Sequence, residues 1–232
     1  MKKILIIASH PDDEVLGCGG VIALACRKGY SVRVVFLAEG VSARYNEEEF
    51  SSNKVIAEID KRNKNAYKAL DLLGVSEKEI FTSNRYCCRL DTLPQIELVK
   101  DIENHIEDFK PNMVFTHSGD DVNMDHRVSF MASLAALRPI KSQSVSDFLT
   151  FEVLSSSEWN TLNPFKPNYF VDITEVLEIK INAMQLYDKE VQEYPHSRSP
   201  EMLTALAKYR GSQSYFNAAE AFYIVRKIKN SI

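Results

Sequence analysis

Two stretches of this sequence concentrate side chains that can bind a metal ion and move a proton. The first is the run His10-Pro11-Asp12-Asp13-Glu14, and the second covers residues 117–127 and includes His117 and His126. A catalytic zinc site takes three protein ligands from His, Asp and Glu and leaves a fourth position for water. His10 and Asp13 stand three residues apart around a proline, so a turn can direct both at one ion. With His126 as the third ligand, these residue types predict a site for one divalent cation per chain.

Asp12 is the general-base candidate, because it is adjacent to the predicted ligand Asp13. Zinc lowers the pKa of a bound water to about 7, so hydroxide is available near neutral pH. A carboxylate beside a dication keeps a low pKa and can accept the proton that this water loses. The acids of both stretches would also repel one another without a cation. The pattern therefore predicts metal-assisted hydrolysis.

Short apolar runs and helical patterns alternate over the first 140 residues. The predicted strands are Lys3–Ala8, Ser31–Ala38, Glu79–Thr82 and Asn112–Thr116. The predicted helices are Val15–Lys28, Lys54–Leu73, Leu93–Phe109 and Asp125–Leu137. This alternation predicts an α/β fold, a Rossmann-like open and mostly parallel sheet with helices on both faces. Ligands bind beyond the carboxyl ends of such strands, where both polar stretches begin.

The remainder of the chain has a different pattern. Strands are predicted at Asp147–Leu154 and Tyr169–Ile173, and helices at Glu175–Glu190 and Glu201–Arg210, whereas Ala219–Lys229 fits either type. No linker or repeat interrupts the sequence. We therefore expect one domain over residues 1–232, in which residues 1–140 form the α/β core and residues 141–232 are an extension that completes the substrate site.

Composition excludes several other classes of protein. The 232 residues are 45% hydrophobic, so the chain can bury a core and is not disordered. The net charge of −4 argues against a nucleic-acid-binding surface. No apolar stretch approaches the roughly 20 residues of a membrane span, and the apolar run at Ile4–Ala8 is too short for a secretion signal. The four cysteines show no CxxC spacing, so we expect reduced thiols and a cytoplasmic protein. A homo-oligomer remains open.

A dinucleotide-binding loop is the main competing interpretation of the first motif. Gly17-Cys18-Gly19-Gly20 follows a predicted strand and precedes a helical pattern. It lacks the GxGxxG spacing, and the acids at 12–14 would repel a pyrophosphate. The glycines are better explained by close packing of the helix.

The motifs resemble those of the PIG-L/LmbE family of zinc-dependent de-N-acetylases, which includes N-acetylglucosaminyl-phosphatidylinositol deacetylases. The family hallmarks match His10-Pro11-Asp12-Asp13-Glu14 and Asp125-His126-Arg127. Arg44 and Asp91 stand where the family binds its sugar. The segments 196–200, 209–211 and 219–222 are similar to its C-terminal signature. The resemblance spans nearly the whole chain and implies an LmbE-like fold.

The resemblance implies a role for each matching residue. His10, Asp13 and His126 would hold zinc, and Asp12 would be the base. Asn123 stands where many members have a histidine that stabilises the oxyanion, and His117 or His196 could replace that histidine. Asp125 would orient His126 or the polar group at 123. The substrate contacts would be Arg44, Asp91, His196 and Glu220.

The implied activity is zinc-dependent removal of an acyl group, acetyl in the first instance, from the amine of an N-acylated amino sugar such as N-acetylglucosamine or its conjugates. One alternative keeps the fold but acts on another amide, in a thiol conjugate or a lipid-linked sugar. A second alternative is a non-catalytic α/β domain that binds a nucleotide or a sugar. Loops set the choice of substrate, so the sequence leaves the sugar and the metal open.

Overall fold

A seven-stranded sheet runs through the computed structural model of the protein, which describes residues 2–140 and 144–229. Its strands in chain order are β1 Lys3–Ala8, β2 Ser31–Phe36, β3 Ile80–Phe81, β4 Met113–His117, β5 Asp147–Phe151, β6 Tyr169–Asp172 and β7 Ala219–Lys227. The spatial order is β3-β2-β1-β4-β5-β7-β6. Strands β1 to β5 pair in parallel, and β7 runs antiparallel to both β5 and β6. The predicted α/β class with a mostly parallel sheet is confirmed.

Helices cover both faces of this sheet. They are α1 Asp13–Arg27, α2 Asn53–Leu72, α3 Gln95–Phe109, α4 Met124–Ala136, α5 Leu177–Gln185 and α6 Pro200–Ser212. The continuous apolar run of β1 is explained by this arrangement, because its residues alternate between two cores. Ile4 and Ile6 pack in the core that contains residues of α1, α2 and α5, whereas Leu5 and Ile7 pack in the core with α3 and α4.

The strand order reverses between β1 and β4. The chain passes from β1 to β2 and β3 on one side, and then returns to place β4 on the other side of β1. Helix α1 leaves β1 toward one face, and α4 leaves β4 toward the other. The connections after the two strands therefore diverge and open a crevice at the carboxyl edge. Both polar stretches identified in the sequence start at this crevice.

Several element boundaries differ from the sequence-based prediction. Helix α1 begins at Asp13, so this carboxylate lies in the first turn of a helix. Helix α5 ends at Gln185 instead of continuing to residue 190, because Tyr187 and Glu190 turn inward to form buried polar contacts. The undecided C-terminal segment is the strand β7. The end of α5 and the strand conformation of β7 are set by contacts with distant parts of the chain and not by local propensity.

The glycines of α1 allow the helix to pack closely on its neighbours. A Cβ at Gly17 would lie 2.2 Å from the Phe151 ring, and one at Gly20 would lie 2.6 Å from the Ile173 side chain. The segment lies within helix α1, with non-helical backbone angles at Cys18, and its glycines do not have the GxGxxG spacing of a dinucleotide-binding loop. Among the described residues, no helix combines the length and apolar character needed to cross a bilayer.

We expect Gly17→Ala to destabilise the protein by about 1–3 kcal/mol, because the new methyl group overpacks against the ring of Phe151 at the end of β5. Gly19→Ala is the matched control in the same helix, since its Cβ would approach no atom closer than 3.2 Å, with Lys180 Cγ at 3.2 Å and Val15 Cγ1 at 3.3 Å. Denaturant unfolding of both variants measures the difference. Equal stability of the two variants would contradict this account of the packing.

Candidate metal centre and substrate cavity

Three buried side chains converge at the crevice between β1 and β4. His10 follows β1, Asp13 opens α1, and His126 lies in the first turn of α4. Asp13 Oδ2 is 3.4 Å from His10 Nδ1 and 3.4 Å from His126 Nε2. The potential ligand atoms of the three residues all lie within 4.8 Å of one another. The two strand ends thus place the donor set of a metal site around one point, although the chain segments are more than 100 residues apart.

Each histidine has one ring nitrogen directed at Asp13 and the other nitrogen held by a second carboxylate. His10 Nε2 lies 2.9 Å from Asp125 Oδ2, and His126 Nδ1 lies 3.2 Å from Asp121 Oδ2. A carboxylate on the outer nitrogen fixes the tautomer and the ring orientation of a metal-binding histidine. The nitrogens left for a cation are therefore His10 Nδ1 and His126 Nε2. Asp125 contacts His10 and not His126, whose partner is Asp121.

The electrostatics of this cluster favour positive charge at its centre. Burial alone would lower the pKa of His10, but the carboxylates of Asp125 and Asp13 raise it to about 10. Burial likewise lowers the pKa of His126, but the carboxylates of Asp13 and Asp121 outweigh this effect and raise the pKa to about 9. Asp13 Oδ1 is buried and has no hydrogen-bond partner. A carboxylate that faces two imidazole nitrogens and keeps one unpartnered oxygen fits a divalent cation, whose binding would displace the ring protons.

His117 belongs to the same buried cluster but is placed differently. Its ring stacks on that of His126 with 3.9 Å between centroids, and its Nε2 accepts a 2.8 Å hydrogen bond from the Ser9 amide. Burial and the neighbouring His126 hold the pKa of His117 well below its usual value. A neutral, fully buried imidazole supports the packing of the site and is poorly suited to protonating a leaving group.

Asp12 is held in a strained backbone conformation beside the three-residue cluster. Its φ angle is 128°, a region that side chains other than glycine rarely adopt. The Asp12 amide donates to Glu14 Oε2 at 2.9 Å, and the other Glu14 oxygen accepts from the Tyr187 hydroxyl at 2.6 Å. Glu14 is thereby committed to holding the turn. Strain of this kind persists only where surrounding contacts maintain it, and it is concentrated at functional sites.

Two arginines hold one oxygen of the Asp12 carboxylate and leave the other free. Asp12 Oδ2 lies 2.7 Å from Arg198 Nη1 and 3.1 Å from Arg62 Nη2. Asp12 Oδ1 is buried without a hydrogen-bond partner. Burial raises the pKa of Asp12 to about 6, against the opposing effects of Arg198 and Arg62. The free oxygen is therefore available to accept a proton near neutral pH.

Glu190 joins these arginines to the C-terminal part of the chain. Its Oε2 lies 2.8 Å from Arg198 Nη1, and its Oε1 accepts from Arg44 at 2.5 Å and also from Arg62. The α2 helix, the loop after β2 and the C-terminal segment thus meet at one buried carboxylate. This network fixes Arg198 and Arg62 against Asp12.

A cavity of about 600 Å³ adjoins this network. Its lining includes Arg44, Tyr45, Trp159, His196 and Arg198. Arg198 lines this cavity and also contacts Asp12, so one side chain lies between the cavity and the buried carboxylate. The volume is typical of small-molecule sites. Aromatic side chains can stack on a sugar ring, and the charged donors can bind hydroxyl or anionic groups.

The remaining predicted site residues lie in other environments. Asn123 caps α4, where its side-chain oxygen accepts from the Asp125 amide at 2.9 Å. Asp91 is exposed in a short 3₁₀ turn at Leu90–Thr92. Glu220 is buried, and its oxygens accept from the amides of residues 20 and 21 and from Lys180. A substrate contact by Asp91 or Glu220 stays a prediction.

Four residues of the site were not singled out by sequence reasoning: Arg62, Asp121, Glu190 and Arg198. Asp121 lies in the polar stretch 117–127 and Arg198 in the segment 196–200, so the sequence already placed both within stretches of candidate site residues. Arg62 and Glu190 lie in a helix and at the end of a predicted helix, where a charged residue is usually solvated. No local pattern distinguishes them from surface charges.

The chain is similar in sequence to known deacetylases. Residues 5–137 match the family model PIG-L, described as GlcNAc-PI de-N-acetylase. A diacetylchitobiose deacetylase from Thermococcus kodakarensis is 24% identical over 236 residues, covering 97% of this chain and 84% of the relative. A probable N-acetyl-alpha-D-glucosaminyl L-malate deacetylase 2 from Bacillus subtilis is 26% identical over 219 residues, covering 88% and 93%.

Solved structures show the same fold. The N,N'-diacetylchitobiose deacetylase from Pyrococcus horikoshii, in complex with the inhibitor MPG, superposes with a TM-score of 0.75. The two sequences are 25% identical, and the match covers 97% of this chain and 84% of the other. The likeness therefore extends through the C-terminal segment that lines the cavity.

We expect Asp121→Asn to weaken metal binding by about 10- to 100-fold, because the carboxylate that orients the His126 ring is lost. Asp120→Asn is the matched control, since Asp120 is the exposed neighbour of Asp121. Competition with a chromogenic chelator, at equal protein and zinc concentrations, measures both affinities. Unchanged affinity in Asp121→Asn would show that this contact does not support the site.

Proposed function

We propose that this chain, which belongs to the PIG-L family of de-N-acetylases, is a metal-dependent hydrolase that removes the acetyl group from the amine of an N-acetylated amino sugar or its conjugate. The observation that carries this proposal is the buried, unpartnered Oδ1 of Asp12 next to the His10, Asp13 and His126 donor set. A candidate base beside a candidate metal site, with a cavity next to the arginine that holds the base, are the parts that amide hydrolysis needs.

The residues that would hold the cation are His10 through Nδ1, Asp13, and His126 through Nε2. A divalent cation bound there supplies Lewis acidity, which acidifies water and polarises an amide carbonyl. Three protein ligands leave coordination positions open for those groups. We propose zinc as the metal, although two histidines and one carboxylate also suit other divalent ions. The four cysteines are free thiols, which agrees with the cytoplasmic location that we propose.

Asp12 would accept the proton of the attacking water at Oδ1. The contacts of Oδ2 with Arg198 and Arg62 keep the carboxyl group in one orientation, so Oδ1 remains directed away from them. Its pKa of about 6 is close to the pH at which a general base is most effective. The same oxygen would then return the proton to the leaving amine. Asn123 cannot carry that proton, and this assignment does not require it to do so.

The cavity of about 600 Å³ would bind the sugar conjugate. Tyr45 and Trp159 offer ring faces to the sugar, and Arg44 and His196 offer hydrogen-bond donors. Residues after 150 supply much of the lining, which supports the proposed role of the C-terminal extension in completing the substrate site. An amide of a different conjugate would use the same machinery, so a substrate panel must include both free and conjugated amino sugars.

We expect Asp12→Asn to lower kcat by about 10²- to 10⁴-fold, because the amide cannot accept the proton. Metal content should stay at the wild-type level, since His10, Asp13 and His126 are intact. Release of acetate from N-acetylglucosamine and its conjugates measures turnover, with Asp120→Asn as the control. Wild-type activity in Asp12→Asn would refute the assignment of the base. Absence of acetate release by the metal-loaded wild type across the panel would refute the substrate class.

We expect Arg198→Met to lower kcat by about 100-fold, because Asp12 loses one of the two groups that orient it. Added guanidinium ion should restore part of the rate. Arg44→Met is the matched comparison: Arg44 contacts Glu190 and the cavity, so its loss should chiefly raise KM. Equal effects of the two variants on kcat, with no rescue by guanidinium, would contradict an orienting role for Arg198.

A further inference from the structure

Two adjacent cysteines lie next to the candidate metal centre, in the segment between β3 and α3. The Sγ atoms of Cys87 and Cys88 are 3.7 Å apart. Cys88 is exposed, whereas Cys87 is buried. The φ angle of Cys88 is 57°, in the left-handed region. One accessible thiol therefore stands beside a second thiol that is shielded from solvent.

Hydrogen bonds connect this segment to the ligand His10. The Cys88 amide donates to Asp125 Oδ2 at 2.6 Å, and the Leu90 amide donates to Asp125 Oδ1 at 3.0 Å. Asp125 Oδ2 in turn accepts from His10 Nε2 at 2.9 Å. The position of the Cys88 backbone therefore helps to fix the carboxylate that orients His10.

We propose that Cys87 and Cys88 form a site of reversible oxidation, at which a hydroperoxide converts the pair to an intramolecular disulfide and thereby weakens the metal centre. The thiol chemistry stands independently of the enzyme's activity, whereas the effect on the metal rests on the proposed function.

The chemistry balances with the peroxide as the only oxidant. The Cys88 thiolate attacks one peroxide oxygen, so an S–O bond forms, the O–O bond breaks and an alcohol or water leaves. The Cys87 sulfur then attacks Cys88 Sγ, the S–S bond forms, and the S–O bond breaks with loss of water after proton transfer. Two thiols lose two electrons, and the peroxide gains them. Cys88 is the exposed thiol of the pair, so a peroxide in solution reaches it first.

Closing the disulfide must move the backbone of Cys88. The sulfurs have to approach from 3.7 Å to roughly 2.05 Å, and adjacent Cα atoms lie about 3.8 Å apart, closer than the 4.4–6.8 Å of ordinary disulfides. The Cys87 amide is fixed by Glu39 Oε1 and Ser42 Oγ, each at 2.9 Å. The adjustment therefore falls on Cys88, whose amide holds Asp125. A disulfide under this strain is also readily reduced, as a reversible modification requires.

The test treats reduced, zinc-loaded protein with hydrogen peroxide in small molar excess. We expect the intact mass to fall by about 2 Da, and a peptide containing both cysteines to resist alkylation until dithiothreitol is added. Cys87→Ser and Cys88→Ser should abolish this mass loss. Cys26→Ser is the matched control and should retain it, because Cys26 lies in α1 away from the pair. The same mass loss in Cys88→Ser, or only oxygen addition or intermolecular disulfides in the wild type, would overturn the site.

A chelator competition then measures the link to the metal. We expect the oxidised protein to bind zinc about 10-fold or more weakly than the reduced protein, with full recovery after dithiothreitol. Equal affinity of the two forms would overturn the coupling through Asp125. These readouts are distinct from turnover: a protein that forms the disulfide and releases zinc, but hydrolyses no amino-sugar amide, would refute the proposed function and retain the oxidation site.

Discussion

Burial of charge at the carboxyl edge of β1 and β4 is the constraint on which the site depends. A carboxylate or an imidazolium removed from water costs several kcal/mol unless an opposite charge faces it. The structure meets this cost by alternating signs: Asp13 lies between His10 and His126, and Asp125 and Asp121 lie behind the two rings. Loss of one partner from such a buried pair typically costs about 3–5 kcal/mol. The ends of β1 and β4 and the starts of α1 and α4 must therefore stay in register.

A second charged layer controls Asp12, and it comes largely from outside the strand-helix core. Arg62 belongs to α2, and Arg198 and Glu190 come from the C-terminal segment. Their contacts hold a carboxylate in a backbone conformation that costs of order 1–3 kcal/mol by itself. The result is a carboxylate with one oxygen held by arginines and one oxygen without a hydrogen-bond partner. The same C-terminal segment lines the cavity, so the orientation of the Asp12 carboxylate and the shape of the cavity depend on the same packing.

The segment before α3 provides the third support of the site. It contributes backbone amides, not side chains, to Asp125, and so connects the Cys87 and Cys88 pair, of which only Cys88 is exposed, to His10 in the cluster. The contact between Asp125 and His10 is hard to break, because both side chains are buried and each would lose the partner that offsets its charge. The carboxylate of Asp125 and the ring of His10 are thus held in part by the backbone of the segment between β3 and α3.

The sequence by itself determined the α/β fold class and the position of the chemistry. Apolar runs bounded by polar turns identify β1 and β4, and the polar residues that follow such strands must meet at one edge of a parallel sheet. The residue types then pointed to His10, Asp13 and His126. Only the tertiary structure decided which carboxylate holds which imidazole, and that Arg62 reaches Glu190 across 128 residues. A helical charged residue looks the same in sequence whether it faces water or a buried partner, because the packing of distant segments sets its environment.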